Sequence, residues 1–267
     1  LLVRVGCGYL SENNRIVMIE NKDQPQVKNI TGQSIEQDLI IQVRNLSRVY
    51  PIGQNEVTAL SNLSIDIPTG VLAALKGRSG SGKTTLLNIV GGLDTPTSGD
   101  VKIFDENISK LDRAQITDLR RKRIGFIFQS YAIMPTFSAI ENVELMLRIA
   151  GNRGDRHEIA MRSLEIVGLG AWAHHRPWEL SGGQQQRVAI ARALSTSPDL
   201  ILADEPTGEL DSNSGRQIMA LFRYIVIKEG ITILMATHDP MIEEYAHVVY
   251  ELEDGKIENI RYPENGR

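Results

Sequence analysis

The sequence has little cysteine, little net charge and no long apolar run. Cys7 is the only cysteine among 267 residues, which excludes an internal disulfide and fits a reducing compartment. The formal net charge of −4 predicts no general affinity for nucleic acid. No apolar run reaches the roughly 18 residues that a membrane-spanning helix needs, and the apolar opening around Arg4 is too short for a signal peptide. We therefore expect a cytosolic location.

The composition changes near residue 37. Residues 1–36 are rich in Asn, Gln, Glu and Lys, and we expect a weakly ordered N-terminal extension with one short strand near 16–19. From Leu39 onward apolar strands alternate with helical patterns, and hydrophobic residues at 42% suffice for a large core. Residues 37–267 are therefore predicted to form one α/β domain.

A glycine-rich loop organises the rest of the chain. It fits the phosphate-binding pattern of glycine, four residues and Gly-Lys-Ser/Thr. An apolar strand is predicted at 71–75 before the loop and an apolar helix directly after it, which is the context that the pattern requires. The loop and the residue after it are Gly77, Arg78, Ser79, Gly80, Ser81, Gly82, Lys83, Thr84 and Thr85.

These residue types suit a polyphosphate. Gly80 and Gly82 permit a tight turn whose N–H groups point into one concavity, next to the positive end of the following helix. Lys83 is predicted to reach the β- and γ-phosphates, and the Thr84 hydroxyl to hold Mg²⁺. A flexible linker is the alternative, but Lys83 leads straight into an apolar helix. The loop predicts a nucleoside triphosphate site.

Two later strands end in candidate catalytic groups. The strand at 200–204 ends in Asp204, predicted to complete the Mg²⁺ shell, and is followed by Glu205, predicted to polarise an attacking water. An acidic turn or helix cap is the alternative. His238 follows the strand at 231–236, where a lone histidine is normally structural but where strand ends would converge on a nucleotide.

Two further features are ambiguous on their own. A helix opens with Ser181, Gly182, Gly183 and Gln184, and the bare N–H groups of two glycines form a potential second anion site or a plain glycine-rich cap. Tyr50, ahead of the loop, is a candidate for stacking on an adenine ring or an ordinary packed aromatic.

The segment 130–178 differs from its flanks. Helical patterns cover 140–149 and 157–167, so it is predicted as a helical insertion in the α/β core. Just before it, Ile124 fits both the helix that carries Leu119 and a strand that stops at Gln129.

Taken together, these motifs resemble those of the ATP-binding-cassette (ABC) ATPases across roughly residues 39–260. The resemblance is specific, because the matching motifs occur in the family's order. The matches are 77–84 with Walker A, Gln129 with the glutamine loop, 180–187 with the signature, 200–204 with Walker B, Glu205 with the catalytic glutamate, 208–211 with the D-loop, His238 with the switch histidine and Tyr50 with the adenine-stacking aromatic.

The resemblance implies a P-loop NTPase (RecA-like) core with an antiparallel β subdomain and an inserted α-helical subdomain at about 130–178. It implies an ATPase with ATP and Mg²⁺ as cofactors. The implied catalytic residues are Lys83, Gln129, Glu205 and His238; the implied metal ligands are Thr84, Gln129 and Asp204; and the implied nucleotide contacts are Tyr50, residues 77–85, Ser181, Gly182, Gly183, Gln184 and Asp211.

Residues 93–99, 120–126 and 237–240 resemble the macrolide-export and lipoprotein-release (MacB/LolD) group. That resemblance implies a transmembrane permease partner, a second nucleotide-binding subunit and a place at the cytoplasmic face of the cell membrane. Arg78 stands where the family often has Pro, and Glu209 where it often has Asn or Ala.

We expect two copies to close head-to-tail around two ATP molecules, so that Ser181 of one copy meets the γ-phosphate held by the other. An apolar groove near Gln129 is predicted to contact the permease, through Tyr131, Ile133, Met134 and Phe137.

Two other classes of protein are alternatives. A soluble ABC ATPase of DNA repair, translation or cell division is the main alternative, although the segment between Gln129 and Ser181 is too short for the coiled coils of repair members, and translation members usually carry two cassettes. A switch GTPase needs an Asn-Lys-x-Asp element after the phosphate loop, and the sequence has none.

Overall fold

The computed structural model describes residues 17–19, 26–28 and 38–263. The chain divides into two units, Leu1–Asp38 with Arg267, and Leu39–Gly266. In the first unit, strands β1 (Val17–Ile19) and β2 (Gln26–Lys28) pair antiparallel. The rest of the predicted extension lies outside the described residues, and the predicted domain boundaries stay predictions.

The second unit contains two sheets and six α-helices among its described residues. Its strands are β3 (Leu39–Ile52), β4 (Asn55–Pro68), β5 (Leu72–Lys76), β6 (Ser98–Ile103), β7 (Glu106–Asn107), β8 (Ile124–Ile127), β9 (Leu200–Asp204), β10 (Thr232–Thr237), β11 (Val248–Glu253) and β12 (Lys256–Arg261). Its α-helices are α1 (Lys83–Val90), α2 (Arg113–Arg123), α3 (Ala139–Ile149), α4 (Arg156–Ile166), α5 (Gly182–Leu194) and α6 (Ser212–Glu229). Short 3₁₀ turns lie at Ile108–Lys110, Gly170–Trp172, Pro177–Glu179 and Pro240–Glu244.

The larger sheet has six strands in the order β12-β11-β5-β10-β9-β8. All neighbours in it are parallel except the β11–β12 hairpin. Every residue of β10 is buried, as expected for a central parallel strand covered on both faces. Ala236 of β10 lies opposite Leu75 of β5 and Asp204 of β9, so these three strands end at the same sheet edge. Ligands of open α/β sheets bind at this edge.

The smaller sheet is antiparallel, in the order β4-β3-β6-β7. Ile41 of β3 is fully buried opposite Ile67 and Ile103, in a core that this sheet shares with α1 and one face of the larger sheet. A second core packs helices α3 to α6 on the other face, with Leu147, Leu164 and similar side chains fully buried.

The structure therefore confirms the predicted fold class. One local expectation was wrong: Ile124 belongs to β8 and not to the helix. Helix α2 ends at Arg123, and the fully buried Ile124 pairs with Leu200 of β9. Its burial and strand pairing assign Ile124 to β8. The apolar face of α2 does not need Ile124, because Leu119 already provides the buried side chain of that helix.

Candidate active site

The glycine-rich loop joins β5 to α1, where it meets the carboxyl edge of the larger sheet. Gly80 and Gly82 have positive φ values of 83° and 101°. A Cβ on Gly77 would lie 2.4 Å from the Leu252 carbonyl oxygen, and one on Gly82 would lie 2.6 Å from that of Ala59. The loop therefore needs glycine at these positions, both for its conformation and for the close approach of neighbouring backbone.

Lys83 is buried at the start of α1, with 6% of its surface exposed. Its Nζ donates hydrogen bonds to the carbonyl oxygens of Gly77 (2.8 Å) and Arg78 (3.0 Å). It also lies 3.8 Å from Oε1 of Glu205. The only other loop side chain buried there is Ser81, whose hydroxyl has no hydrogen-bond partner within 38–263. An ammonium and an unpaired hydroxyl in one small loop fit an oxyanion ligand, because buried polar groups require partners.

Thr84 and Asp204 form the next pair along the sheet edge. The Thr84 hydroxyl donates to Oδ1 of Asp204 at 3.1 Å. Burial raises the pKa of Asp204, and the charge of Glu205 raises it further, against the opposing effects of the Thr84 hydrogen bond and the Lys83 charge. Hydroxyl and carboxylate oxygens are the ligands that Mg²⁺ prefers, and a cation would compensate the buried charge. The donor set thus fits this ion.

The raised pKa predicts that Asp204 destabilises the nucleotide-free protein. The folded state holds the Asp204 proton more tightly than the unfolded chain does, so the ionised carboxylate weakens folding above the raised pKa. We expect Asp204→Asn to raise the melting temperature at neutral pH by about 2–4 °C. The gain should vanish below pH ~3.9, where both folded and unfolded carboxyls are protonated. Calorimetry at both pH values, with exposed Glu258→Gln as control, checks this; a lower melting temperature at neutral pH would contradict it.

Glu205 and His238 are paired across two strand ends. Nδ1 of His238 lies 3.0 Å from Oε2 of Glu205, and the His238 backbone N–H donates to the same oxygen at 3.4 Å. Glu205 has a φ of 46°, and its own N–H donates to the Ala236 carbonyl at 2.9 Å. A non-glycine residue in this conformation is uncommon and needs surrounding contacts to hold it. Glu205 is therefore held at one point between Lys83 and His238.

Gln129 lies just beyond β8, with its side chain exposed. A Cβ on Gly208 would lie 3.4 Å from Nε2 of Gln129 and 3.3 Å from the Glu205 carbonyl oxygen. The Gly208 N–H also donates to that oxygen at 3.0 Å. The Gln129 amide is therefore next to the turn that follows Glu205, although no hydrogen bond within 38–263 joins it to Thr84 or Asp204.

The signature segment opens α5 on a different part of the surface. Ser181 is exposed, and it forms a capping box in which its hydroxyl accepts from the Gln184 N–H and its N–H donates to the Gln184 side chain. A Cβ on Gly182 would lie 3.2 Å from the Tyr131 hydroxyl, and one on Gly183 would lie 3.4 Å from the Ser214 side chain. No described contact joins Ser181 to the Lys83–Glu205 cluster.

Asp211 caps α6 beside this segment. Its carboxylate accepts the Ser214 hydroxyl at 2.6 Å and the Asn213 and Ser214 N–H groups at 2.9 and 3.0 Å. The Ser214 hydrogen bonds, the hydroxyl's first, lower the pKa of Asp211 despite an opposing burial effect. Asp211 thus has a structural role in this protomer, in addition to any nucleotide contact.

The structure thus brings seven predicted residues into one cluster through hydrogen bonds and ion pairs, and it leaves Tyr50, Gln129, Ser181 and Asp211 outside that cluster. The clustered residues are Gly77, Arg78, Lys83, Thr84, Asp204, Glu205 and His238. The sequence does not predict that the Tyr131 hydroxyl lies next to Gly182, because the sequence predicts Tyr131 only as part of an apolar groove. It also does not predict the Arg48 and Asp94 contacts of Tyr50, for which the sequence carries no local signal.

A phosphate loop, a carboxylate pair and a histidine at the carboxyl edge of a parallel sheet define the class of P-loop NTPases. The family model described as "ABC transporter" matches residues 60–208, more than half of the chain. The chain therefore belongs to the ABC transporter ATP-binding proteins and is an ATPase of that family. The predicted family and enzyme class are confirmed.

Relatives agree with this assignment. The chain is 42% identical over 224 residues to an uncharacterized ABC transporter ATP-binding protein, MJ0796, of Methanocaldococcus jannaschii, covering 82% of this chain and 95% of the relative. It is 46% identical over 219 residues to the macrolide export ATP-binding/permease protein MacB of Hyphomonas neptunium, covering 82% of this chain and 34% of MacB. The chain thus spans about a third of the length of MacB.

Solved structures show the same fold. The chain aligns with a dimeric post-hydrolysis state of MJ0796 bound to ADP and Pi, with a TM-score of 0.77, 40% identity and coverage of 83% of this chain and 98% of that one. It also aligns with cbiO1 of Clostridium perfringens, part of an ABC transporter complex, with a TM-score of 0.76, 29% identity and coverage of 85% and 90%.

Proposed function

We propose that the chain hydrolyses ATP to power a separate membrane subunit of the MacB/LolD type, as one half of a head-to-tail dimer. The observation that carries this is the unbroken series of contacts from the loop carbonyls through Lys83 and Glu205 to His238. The series contains a cation that can bind phosphate, a carboxylate that can polarise water and a histidine that contacts the carboxylate.

The residues of the site have different roles in hydrolysis. Lys83 exchanges its loop carbonyls for β- and γ-phosphate oxygens, and Ser81 and the loop N–H groups bind the remaining oxygens. Glu205 accepts a proton from the attacking water, while its contact with His238 holds its orientation. Gln129 lies next to the turn after Glu205, where it senses whether the site is fully occupied.

Thr84 and Asp204 would hold Mg²⁺, with Gln129 completing the set. When bound, the ion would neutralise charge on the phosphate oxygens. The protein's own contribution is to keep the Thr84 hydroxyl and the Asp204 carboxylate in contact at 3.1 Å before the ion arrives.

The second copy completes the site. Ser181 is exposed, Gly182 and Gly183 are half-buried, and no described hydrogen bond joins them to the Lys83 cluster, so this helix start can meet a phosphate on another protomer. MJ0796, the structural relative with 40% identity, is dimeric in its ADP- and Pi-bound state. We infer a symmetric dimer with two sites at its interface.

The groove after Gln129 suits a membrane-protein partner. Met134 is 47% exposed and Phe137 is 37% exposed, although both are apolar. Buried Asn142 accepts from the Met134 N–H at 2.6 Å and donates to the Phe137 carbonyl at 3.2 Å, which holds the segment in place. An apolar surface on a pre-ordered segment is typical of a docking site.

A position at the cytoplasmic face of the membrane follows from this contact. No helix within 17–19, 26–28 and 38–263 is long and apolar enough to cross a bilayer. We propose that the chain reaches the membrane through its permease.

Affinity capture tests the proposal. The tagged chain is used to capture its partners from detergent-solubilised membranes of the organism in which it occurs. We expect one multi-span membrane protein to co-purify, and Phe137→Glu to abolish its capture while ATPase activity of the isolated chain is retained. Trp178→Glu, which alters an apolar residue elsewhere that is even more exposed (64% against 37% for Phe137), is the control and should retain the partner. Capture of only repair, ribosomal or division proteins would instead support the soluble alternative.

A further inference from the structure

A charged pair surrounds Tyr50 on strand β3. The Tyr50 hydroxyl donates to Oδ2 of Asp94 at 2.5 Å. Arg48, two residues earlier and on the same face of the strand, donates to both carboxylate oxygens of Asp94, at 2.7 and 3.0 Å. The Arg48 guanidinium carbon also lies 4.3 Å from the centre of the Tyr50 ring. One carboxylate thus holds both the ring's hydroxyl and the cation that covers one face of the ring.

The Arg48–Asp94 ion pair is partly buried and is held by two hydrogen bonds. Side-chain exposure is 20% for Arg48 and 22% for Asp94. Burial acts to raise the pKa of Asp94, but hydrogen bonds from Tyr50 and the Thr95 N–H and the Arg48 charge outweigh it, so the pKa is lowered. Bidentate arginine–carboxylate pairs have a fixed geometry, which here orients the aromatic ring.

Asp94 belongs to the loop that follows α1, the helix of the phosphate loop. Its N–H donates to the Asn88 carbonyl of α1 at 3.2 Å. The same loop is fastened to β3 further on, where the Thr97 hydroxyl accepts from the Val49 N–H at 3.0 Å. Asp94 is therefore bonded at once to the phosphate-binding helix and to the strand that carries Tyr50.

We propose that Arg48 and Asp94 are positioning residues that fix the Tyr50 ring for stacking on the adenine base. This rests on the proposed function, since it needs Tyr50 to meet the base. Arg48 covers one face of the ring and Asp94 holds its hydroxyl, so the base stacks on the opposite face of a ring that is already oriented. Asp94 bonds α1 through its backbone N–H, which a side-chain substitution retains, so a change at its carboxylate acts on the ring and not on the phosphate loop.

Base-dependent binding tests the proposal. Dissociation constants are measured for ATP and for tripolyphosphate, which lacks the base, on wild type, Tyr50→Ala and Asp94→Asn. We expect Tyr50→Ala to weaken ATP binding about ten- to hundredfold. Asp94→Asn should weaken it about three- to tenfold, and neither change should affect tripolyphosphate. In the double variant, Asp94→Asn should add nothing to Tyr50→Ala.

The matched control is Asp66→Asn. It disrupts another bidentate arginine–aspartate pair, between Arg44 of β3 and Asp66 of β4, whose NH1–Oδ1 distance is 2.6 Å, and it should leave ATP affinity unchanged. Tyr50→Phe keeps the ring but loses the Asp94 bond, so it should match Asp94→Asn.

Three results would overturn the proposal: equal losses for ATP and tripolyphosphate, an additive double variant, or full ATP affinity in Asp94→Asn. A wild type that binds neither probe would instead overturn the proposed function itself. Thermal unfolding of each nucleotide-free variant shows that affinity is compared among folded proteins.

Discussion

Glu205→Gln is expected to slow ATP hydrolysis by about 10²- to 10⁴-fold while ATP still binds. Gln keeps the shape of the side chain but accepts no proton, and the Lys83 and phosphate-loop contacts remain. Because the triphosphate is no longer consumed, the closed dimer should persist. Size exclusion with MgATP should therefore show a dimer for Glu205→Gln and mainly a monomer for wild type, and phosphate release measures turnover.

Glu258→Gln is the matched control for that experiment. It removes the same charge from an exposed side chain of strand β12, outside the Lys83–His238 cluster and outside the motifs of the site. We expect turnover within about threefold of wild type. A Glu205→Gln protein that binds MgATP yet stays monomeric would count against the dimer, and one that hydrolyses normally would remove Glu205 from the mechanism.

Lys83→Met is expected to lose ATP affinity by about 10²-fold or more. The ammonium of Lys83 is buried, and its partners among the described residues are two loop carbonyls and the more distant Glu205. Methionine preserves the packing but removes the cation that meets the phosphates. Equilibrium titration with ATP measures the loss, and thermal unfolding confirms that the variant is folded.

Arg78→Met is the control for charge in the same loop. Its side chain is exposed, and the family that the sequence resembles often has proline at this position. Affinity within about threefold of wild type is expected. If Arg78→Met and Lys83→Met lost affinity equally, general attraction by the loop's charge would explain binding better than a specific lysine contact.

The fold was largely predictable because local signals and burial agree along most of the chain. The predicted strand at 71–75 is β5 (Leu72–Lys76), and the helix expected after Ser181 is α5 (Gly182–Leu194). Both consist of apolar patterns with a strong glycine or serine boundary. Ile124 was the exception, because helical and strand patterns overlap there and only pairing with Leu200 separates them.

The site was predictable as a set of motifs but not as a set of contacts. Glu205 reaches His238 only because β9 and β10 are in parallel register, with Asp204 opposite Ala236. A spacing in sequence carries no information about that register. The link from Tyr50 on β3 to Asp94 in the loop after α1 likewise joins two residues that are 44 positions apart. The roles of the individual site residues stay predictions until the variants are measured.

In the proposed dimer, each ATP is held by one subunit and enclosed by the signature segment of the other. Mixing two inactive variants tests it. Lys83→Met lacks the phosphate cation, while Ser181→Asp keeps an oxygen to cap α5 but places a carboxylate where the γ-phosphate would bind.

Each variant alone has two defective sites, but a mixed dimer has one intact site. That site joins the Lys83 of the Ser181→Asp subunit to the signature segment of the Lys83→Met subunit. Random mixing should restore phosphate release to on the order of a quarter of the wild-type rate. If the mixture releases no more phosphate than the two variants separately, the shared site does not exist in this protein.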